Sequence, residues 1–505
     1  MGSGTLSIEA LMDTSGVQFG TSGARGLVKA MTDEVCYAYA AAFLQYLRGL
    51  SEITTDTGIA VGGDLRASTD RIMMAIGKAI ADRGHPVVNA GKLPTPALAF
   101  YGMFHSIPTL MVTGSHIPED RNGIKFTRAS GEITKSDEAA MITQPVFIPQ
   151  GLFDDAGGLK VTYQLPAVSP EPAIQYVRRY VDFFGAGSLA GTRVGLYEHS
   201  TVACEPIDEI LTALGAEVMR FGRASTFVPV DTEAIRPEDA NLAKRWASEH
   251  RVDCIVSADG DGDRPLISDE KGSWLRGDIV GILCAAYLGA DAVVTPVSSN
   301  TALERAHRFQ ITKRTRIGSP YVIAGMQAAV AEGARCVIGY EANGGVLVGS
   351  DIVRSQVKLK ALPTRDAVVA MLSVLLLSTE SRTPISRLIT DLPQRFTVSD
   401  RLQAFPTEKS KEILSELYSD ESARDIKAID KVFAALAGKV AAIDVTDGLR
   451  MTFANEEIVH LRPSGNAPEF RCYTEAASPE RAMELNQACM RILRGWQKSA
   501  QRVGN

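Results

Sequence analysis

The chain has 505 residues, 45% of them hydrophobic, 22% charged and 7% aromatic, which excludes a disordered protein, a collagen-like fibre and a small disulfide scaffold. Its 53 Lys+Arg against 59 Asp+Glu leave a formal net charge of −6, so there is no basic footprint for nucleic acid and no general attraction to an anionic membrane. At roughly 100–200 residues per domain, a chain of this length is expected to form about three or four domains.

The longest apolar candidate for a membrane span, Val368 to Leu377, falls well short of the ~20 residues a bilayer requires. Seven cysteines (Cys36, Cys204, Cys254, Cys284, Cys336, Cys472 and Cys489) are widely spread and show no CxxC spacing, as reduced core cysteines do. The first residues lack the basic and apolar regions of a signal peptide, and Leu6 stands where a myristoylation signal has Ser or Thr. A reduced, soluble, cytoplasmic protein is expected.

Along the chain one cadence recurs three times. Gly58–Gly62 leads to GDLRAST, a helical pattern on Ile72, Ile76 and Ile80, and a second apolar run from Pro86. Thr192–Tyr197 leads to a helix around Ile207–Leu214 and a run from Glu217. Ala292–Val297 leads to a helix from Thr301 to His307 and then Ile311–Ile317. Strand, polar loop, helix, strand is the pattern of βαβ units in a mixed or parallel sheet. Amphipathic helices are predicted over Ile174–Phe184 and Asp278–Leu288. After Ser381–Asp400 the order becomes strand, helix, strands and a last helix near Pro479–Gln497, a smaller α+β unit. The boundaries that follow are 1–168, 169–276, 277–390 and 391–505.

Five loops carry chemistry. Gly20-Thr21-Ser22-Gly23-Ala24-Arg25-Gly26 is an anion cradle without the Gly-Lys-Ser/Thr ending of a Walker loop. Thr113-Gly114-Ser115-His116-Ile117-Pro118 follows the strand-like Leu110–Val112, with Lys125 ten residues beyond Ser115. Ser115 there is either a nucleophile with a nearby proton carrier or a capping serine. Asp259-Gly260-Asp261-Gly262-Asp263-Arg264 follows Cys254-Ile255-Val256 and sets three carboxylates at alternate positions. Such a loop can bend round one hard divalent cation, although a charged turn would share the pattern. An EF-hand fails, because Arg264 occupies the position that needs Gly and Pro265 follows it. Gly339-Tyr340-Glu341-Ala342-Asn343-Gly344-Gly345 offers a carboxylate and an amide to hydroxyl groups, or is a plain turn. Arg462-Pro463-Ser464-Gly465-Asn466-Ala467-Pro468, with Arg471, forms a second anion cradle.

Taken together and in this order, TSGARG, TGSHIP with NGIK, DGDGDR, GYEANGG and RPSGNAP make the sequence resemble the α-D-phosphohexomutase family of phosphomannomutases and phosphoglucomutases. Gly63–Ser68 and Pro94-Thr95-Pro96 resemble the family as well, and the likeness runs from about Gly20 to about Ala476. It implies an α/β protein of four domains round a central cleft, the first three sharing one mixed-sheet fold and the last a smaller α+β domain. By the same resemblance Ser115 carries the phosphoryl group, and Asp259, Asp261 and Asp263 hold Mg²⁺ with it. Lys125, Arg25, His116 and Arg264 transfer protons and stabilise charge, and Glu341 and Asn343 meet sugar hydroxyls. Arg462, Ser464, Gly465, Asn466 and Arg471 grip the phosphate that is not reacting.

The implied reaction interconverts hexose 6-phosphate and hexose 1-phosphate through a 1,6-bisphosphate. Phosphomannomutase is the first expectation, with phosphoglucomutase or phosphoglucosamine mutase as alternatives. Lys125 could take the hydroxyl proton only if cations such as Arg25 and His116 lowered its pKa. Three departures from the family pattern are Ile117 for the usual Asn, Asn343 for Ser, and SGNAP for SGTEP. A binding protein without turnover, or a phosphatase using Ser115, stays open at this point. Small hexose phosphates are the expected partners, in a monomer or a homodimer.

Overall fold

The computed structural model describes residues 5–20, 23–419, 422–464 and 468–503. Two compact units emerge, one of Met1–Val293 with Met326–Leu388, the other of Val294–Gly325 with Ile389–Asn505.

The first unit is mixed α/β. Its largest sheet runs Gln18–Phe19, Ala24–Leu27, Arg121–Arg128, Thr109–Val112, Ile59–Gly63, Val87–Lys92, with Gly131–Glu132 added beside Arg121–Arg128. Ile59–Gly63 pairs parallel with both Val87–Lys92 and Thr109–Val112, as the βαβ pattern requires, and Thr69–Asp82 is the crossover helix. The long helix Asp33–Gly49 starts at Thr32, whose side chain accepts from Val35 N, and buries Tyr37, Tyr39 and Phe43 in the core of this sheet. A second sheet is ordered Glu217–Arg223, Arg193–His199, Cys254–Ala258, Pro265–Ile267, parallel except for its last, antiparallel hairpin pair. Val337–Tyr340, Val346–Val348 and Leu362–Asp366 pair antiparallel in turn. The apolar run from Val368 lies in the helix Ala367–Ser381, which is buried and capped by Asp366 accepting from Val368 N. Among the described residues no helix is long and apolar enough to cross a membrane.

In the second unit five strands are ordered Phe396–Gln403, Glu469–Ala476, Ile458–Pro463, Leu449–Phe453, Val440–Asp444, all antiparallel. The last helix, Pro479–Val503, packs Leu485, Cys489, Met490 and Leu493 against them. Two local expectations change here. The helix from Thr301 shrinks to Ala302–Arg305: Thr301 stands before its first residue with amide and hydroxyl both donating to Glu475, and the chain leaves the helix before His307, φ 50°. The single helix expected before the terminal strands is two, Thr407–Leu417 and Ser422–Ala437; Tyr418 turns extended, and Asp425 accepts from both the amide and hydroxyl of Ser419.

All seven cysteines are free, six of them buried and Cys336 half-buried. Burial pushes the thiols of Cys36, Cys204 and Cys284 up to about 12, as expected for reduced core residues.

Candidate active site

Ser115 follows the strand Thr109–Val112, fully buried and at φ 55°, a left-handed backbone that a non-glycine residue adopts only when its surroundings impose it. The surroundings are Asp64 and Arg66. Asp64 accepts from Thr113 Oγ1 and Gly114 N, while Arg66 donates to the carbonyls of Ser115, Ile117, Pro118 and Arg121. Across the sheet Met111 pairs with Lys125, and Gly123 pairs with Arg25. Residues two apart on a strand share a face, so Lys125 and Arg25 project together. Gly123 makes this possible, since a Cβ there would stand 2.7 Å from Ala24 O and 2.9 Å from Arg25 Cγ.

The aspartate loop joins the hairpin strands Cys254–Ala258 and Pro265–Ile267. Asp259 closes it, its amide donating to Arg264 O at 3.0 Å and its Oδ1 accepting from the amides of Asp263 and Arg264. Gly260 lies against Ser115, where a Cβ would come within 2.7 Å of its carbonyl oxygen. The two loops therefore meet, and Ser115 Oγ donates to Asp259 Oδ2 at 2.5 Å. Thr95 N and Oγ1 donate to the backbone and side chain of Asp261, a use of the PTP segment that its sequence does not announce. His199, at φ 26°, supports the loop's base with Nε2 2.7 Å from Ala258 O.

Asp259, Asp261 and Asp263 each offer a carboxylate oxygen within 4.8 Å of the others. Asp261 Oδ1 and Asp263 Oδ1 are buried with no hydrogen-bond partner among the described residues. Buried acceptors without donors, gathered with a serine hydroxyl, fit a hard divalent cation with oxygen ligands.

Charge in this site differs from the expectation in two respects. Lys125 Nζ lies 2.7 Å from Asp261 Oδ2 and 2.6 Å from Asp263 Oδ2. Burial penalises the ammonium, but Asp261 and then Asp263 overcome that and hold its pKa above the ordinary lysine value rather than below it. His116, whose Nδ1 is 3.3 Å from Ser115 Oγ, is not the cation that expectation needs, because burial, then Arg264 and Arg25, drive its pKa far down. Burial and then Arg264 bring Arg25 down to about 10. The Asp259 carboxyl is pushed well up by burial and by Asp261 and Asp263. Asp263 goes the other way; Arg365, Lys125 and Arg264 outweigh its burial. Arg264 Nε has no hydrogen-bond partner among the described residues and stands 3.8 Å from Asp263 Oδ1, leaving donors for an anion.

The loop Glu341–Gly345 turns between Val337–Tyr340 and Val346–Val348. Glu341 Oε2 accepts from Arg365 Nη1 at 2.8 Å, and Asn343 Oδ1 accepts from Gly345 N. Gly277 packs so tightly here that a Cβ would lie 2.2 Å from Gly344 N, which sets Arg276 beside the loop. Neither Arg365 nor Arg276 is singled out by the sequence. Their signal, an arginine in a buried strand and another at a helix start, has meaning only once the loops meet.

Ser115, His116, Lys125, Arg25, Arg264, Glu341, Asn343 and the three aspartates thus all belong to the first unit. In the second unit, Arg462 and Arg471 stand directly opposite each other on paired strands, and Arg401 on the next strand continues the row. Arg462 Nε is 2.7 Å from Asp447 Oδ2; Glu469 lies 3.2 Å from Arg471 and 3.6 Å from Arg401. Ser464 is buried, its amide donating to Glu469 O. Gly465 and Asn466, like Thr21 and Ser22 of the first cradle, lie outside the described residues.

Family models described as phosphoglucomutase/phosphomannomutase α/β/α domain I, α/β/α domain III and C-terminal domain match residues 16–148, 276–396 and 416–492. A phosphomannomutase of Salmonella muenchen is 42% identical over 479 residues, covering 94% of this chain and 95% of the relative. One from Sinorhizobium fredii is 41% identical, covering 93% and 97%. Among solved structures, a phosphoglucomutase/phosphomannomutase family protein from Burkholderia thailandensis superimposes with a TM-score of 0.70 at 18% identity, covering 94% of this chain and 97% of that one. That last likeness is one of fold.

Proposed function

Since the chain belongs to the phosphoglucomutase/phosphomannomutase family, we propose that it is a phosphomannomutase that interconverts mannose 6-phosphate and mannose 1-phosphate through phosphorylated Ser115 and a mannose 1,6-bisphosphate. The observation that carries the chemistry is the Ser115 hydroxyl at 2.5 Å from Asp259 inside a buried carboxylate cluster. The choice of mannose rests on the relatives at 42% and 41% identity; two phosphoglucosamine mutases match at 30% and 28%.

In the forward direction the bond from phosphorus to Ser115 Oγ breaks as one forms to the sugar hydroxyl, and the hydroxyl proton leaves. Turned over in the site, the bisphosphate returns its other phosphoryl group to Ser115. Catalysis of this kind is mostly positioning and charge neutralisation. Asp259, Asp261 and Asp263 would hold Mg²⁺ with an oxygen on Ser115, which supplies positive charge to the phosphoryl group in transit. Arg264 and Arg25 present donors to the same group. Lys125 starts as an ammonium shared by two carboxylates, so it stabilises charge first; it can take the hydroxyl proton only as the free amine, after those carboxylates are taken up elsewhere and its own proton has been released to solvent. Neutral His116, beside Ser115 Oγ, completes the proton-handling set.

Glu341 and Asn343 would read sugar hydroxyls, and Arg462, Ser464, Gly465, Asn466 and Arg471 would grip the second phosphate. Residues 1–168, 169–276, 277–390 and 391–505 are the corresponding four domains of a cytoplasmic enzyme. A coupled assay of 6-phosphate and 1-phosphate interconversion tests this on mannose, glucose and glucosamine substrates. Highest kcat/KM on the mannose pair is expected. Preference for glucosamine phosphates would overturn the choice of sugar, and release of inorganic phosphate without isomerisation would overturn the reaction.

A further inference from the structure

Arg365 lies in the strand Leu362–Asp366 with its side chain 4% exposed, between two loops that have separate tasks. Nη2 and Nε donate to Asp263 Oδ2 at 2.8 and 3.1 Å, and Nη1 donates to Glu341 Oε2 at 2.8 Å. One guanidinium therefore joins an aspartate of the candidate metal cluster to the carboxylate of the candidate sugar loop. A planar fork meets one carboxylate through two of its nitrogens and a second through the third, a spread of donors that a single ammonium does not have.

The flanking residues fix this placement. Thr364 Oγ1 donates to Glu132, while Asp366 accepts from the hydroxyls of Tyr176 and Tyr180 and caps the next helix. From the other side Gly345 leaves room for the arginine stem. A Cβ at Gly345 would lie 2.5, 2.7 and 2.9 Å from Arg365 Cδ, Cγ and Cβ. No positive φ is recorded for Gly345, so its bareness serves the arginine and not the turn.

We propose that Arg365 is a positioning residue that sets metal affinity against sugar affinity. It draws on the charge of Asp263, which weakens the cluster's hold on a divalent cation, and in the same geometry it fixes Glu341 for sugar hydroxyls. Removing it then moves the two affinities in opposite directions, whereas loss of a merely structural side chain would weaken both. The sugar half rests on the mutase reading above; the metal half does not.

The test uses the full chain, treated with phosphatase, and calorimetry with Mg²⁺ alone and with mannose 6-phosphate. For Arg365→Gln, the loss of one positive charge a few ångströms from the cluster should tighten Mg²⁺ about tenfold, while mannose 6-phosphate binds about tenfold more weakly and KM rises more than kcat falls. Arg365→Lys keeps the charge, so Mg²⁺ affinity should stay within about threefold of wild type while the sugar phosphate still binds more weakly. Gly345→Ala, which displaces the stem, should weaken the sugar phosphate in the same way. Weakening of both ligands in Arg365→Gln, or no change in either, overturns the proposal. Should Arg365→Gln fail to fold, Arg365→Lys and Gly345→Ala decide: sugar-phosphate affinity equal to wild type in both overturns it. A wild-type protein that binds Mg²⁺ but never interconverts the mannose phosphates would instead count against the mutase reading, and the Mg²⁺ shift in Arg365→Gln would still be measurable.

Discussion

Arg66 donates through Nη2 to the carbonyl of Ser115 at 3.0 Å, so the residue proposed to carry the phosphoryl group is held from behind. The same guanidinium pairs with Asp64 and lies 4.0 Å over the Phe227 ring. Arg66→Lys keeps a charge but cannot reach all these acceptors, leaving buried carbonyls unpaired. A stability loss of about 3 kcal/mol in urea unfolding is expected. A loss below about 0.5 kcal/mol would remove Arg66 from this role.

Ser115 itself allows two substitutions to separate chemistry from strain. Both Ser115→Ala and Ser115→Gly should lose turnover and the one-phosphoryl mass difference that phosphatase treatment removes from wild type. The glycine variant tolerates φ 55° better and should be about 1 kcal/mol more stable than the alanine variant. Turnover by either variant without added bisphosphate would refute the phosphoserine assignment.

Metal binding gives a third test. Asp261→Asn removes one carboxylate of three and should weaken Mg²⁺ by about ten- to a hundredfold in calorimetry, with a smaller effect on mannose 6-phosphate. Unchanged Mg²⁺ affinity would move the metal site elsewhere.

In the second unit, Arg462 is already paired with Asp447, 2.7 Å away. If it grips a phosphate through charge-assisted hydrogen bonds of roughly 1.5–3 kcal/mol each, Arg462→Ala should raise KM about ten- to a hundredfold. Asp447→Asn should lower KM, since it removes the carboxylate charge that competes for the guanidinium, while the amide oxygen can still accept from Ile317 N. Arg401, 57% exposed, should matter less than Arg462. Unaltered KM in both Arg462→Ala and Asp447→Asn would make the arginine row a surface feature.

His460 supplies a pH dependence. Burial, with Arg450 and Arg462 nearby, lowers its pKa to about 4, against the pull of the Asp447 carbonyl 2.6 Å from Nε2. The Tyr473 ring stacks on it at 5.3 Å. The folded value lies below the unfolded value of about 6.5, so between the two it is the unfolded chain that binds the extra proton. Stability from this residue is full above about pH 6.5 and lost as pH falls to about 4, by up to about 1.4 kcal/mol per pH unit. His460→Gln should flatten that slope by one proton in urea unfolding at pH 4.5 and 6.5. An unchanged slope would show that His460 is charged when folded.

Much of the site could be read from the sequence because each loop is local: DGDGDR and TGSHIP each bring their own ligands and turn residues. The charge state of Lys125 could not, since Asp261 and Asp263, which hold it, lie 136 and 138 residues away. Arg365 was invisible for the same reason, being 102 residues from Asp263. The strands flanking the loops followed from apolar runs, within a residue or two. The helix at Ala302–Arg305 fell short of its prediction because apolar spacing does not register where the backbone turns left-handed, as it does at His307.

The burial of the cysteines bears on how the protein can be handled. Six thiols are buried, and burial raises the half-buried Cys336 thiol to about 11, which lowers its thiolate fraction and slows its reaction with maleimides at neutral pH. A single cysteine placed at exposed Met483 in the second unit, or at exposed Val353 in the first, would therefore be labelled ahead of the native thiols. Dyes at those two positions would follow each unit in solution, on the native thiol background and without stripping any core residue.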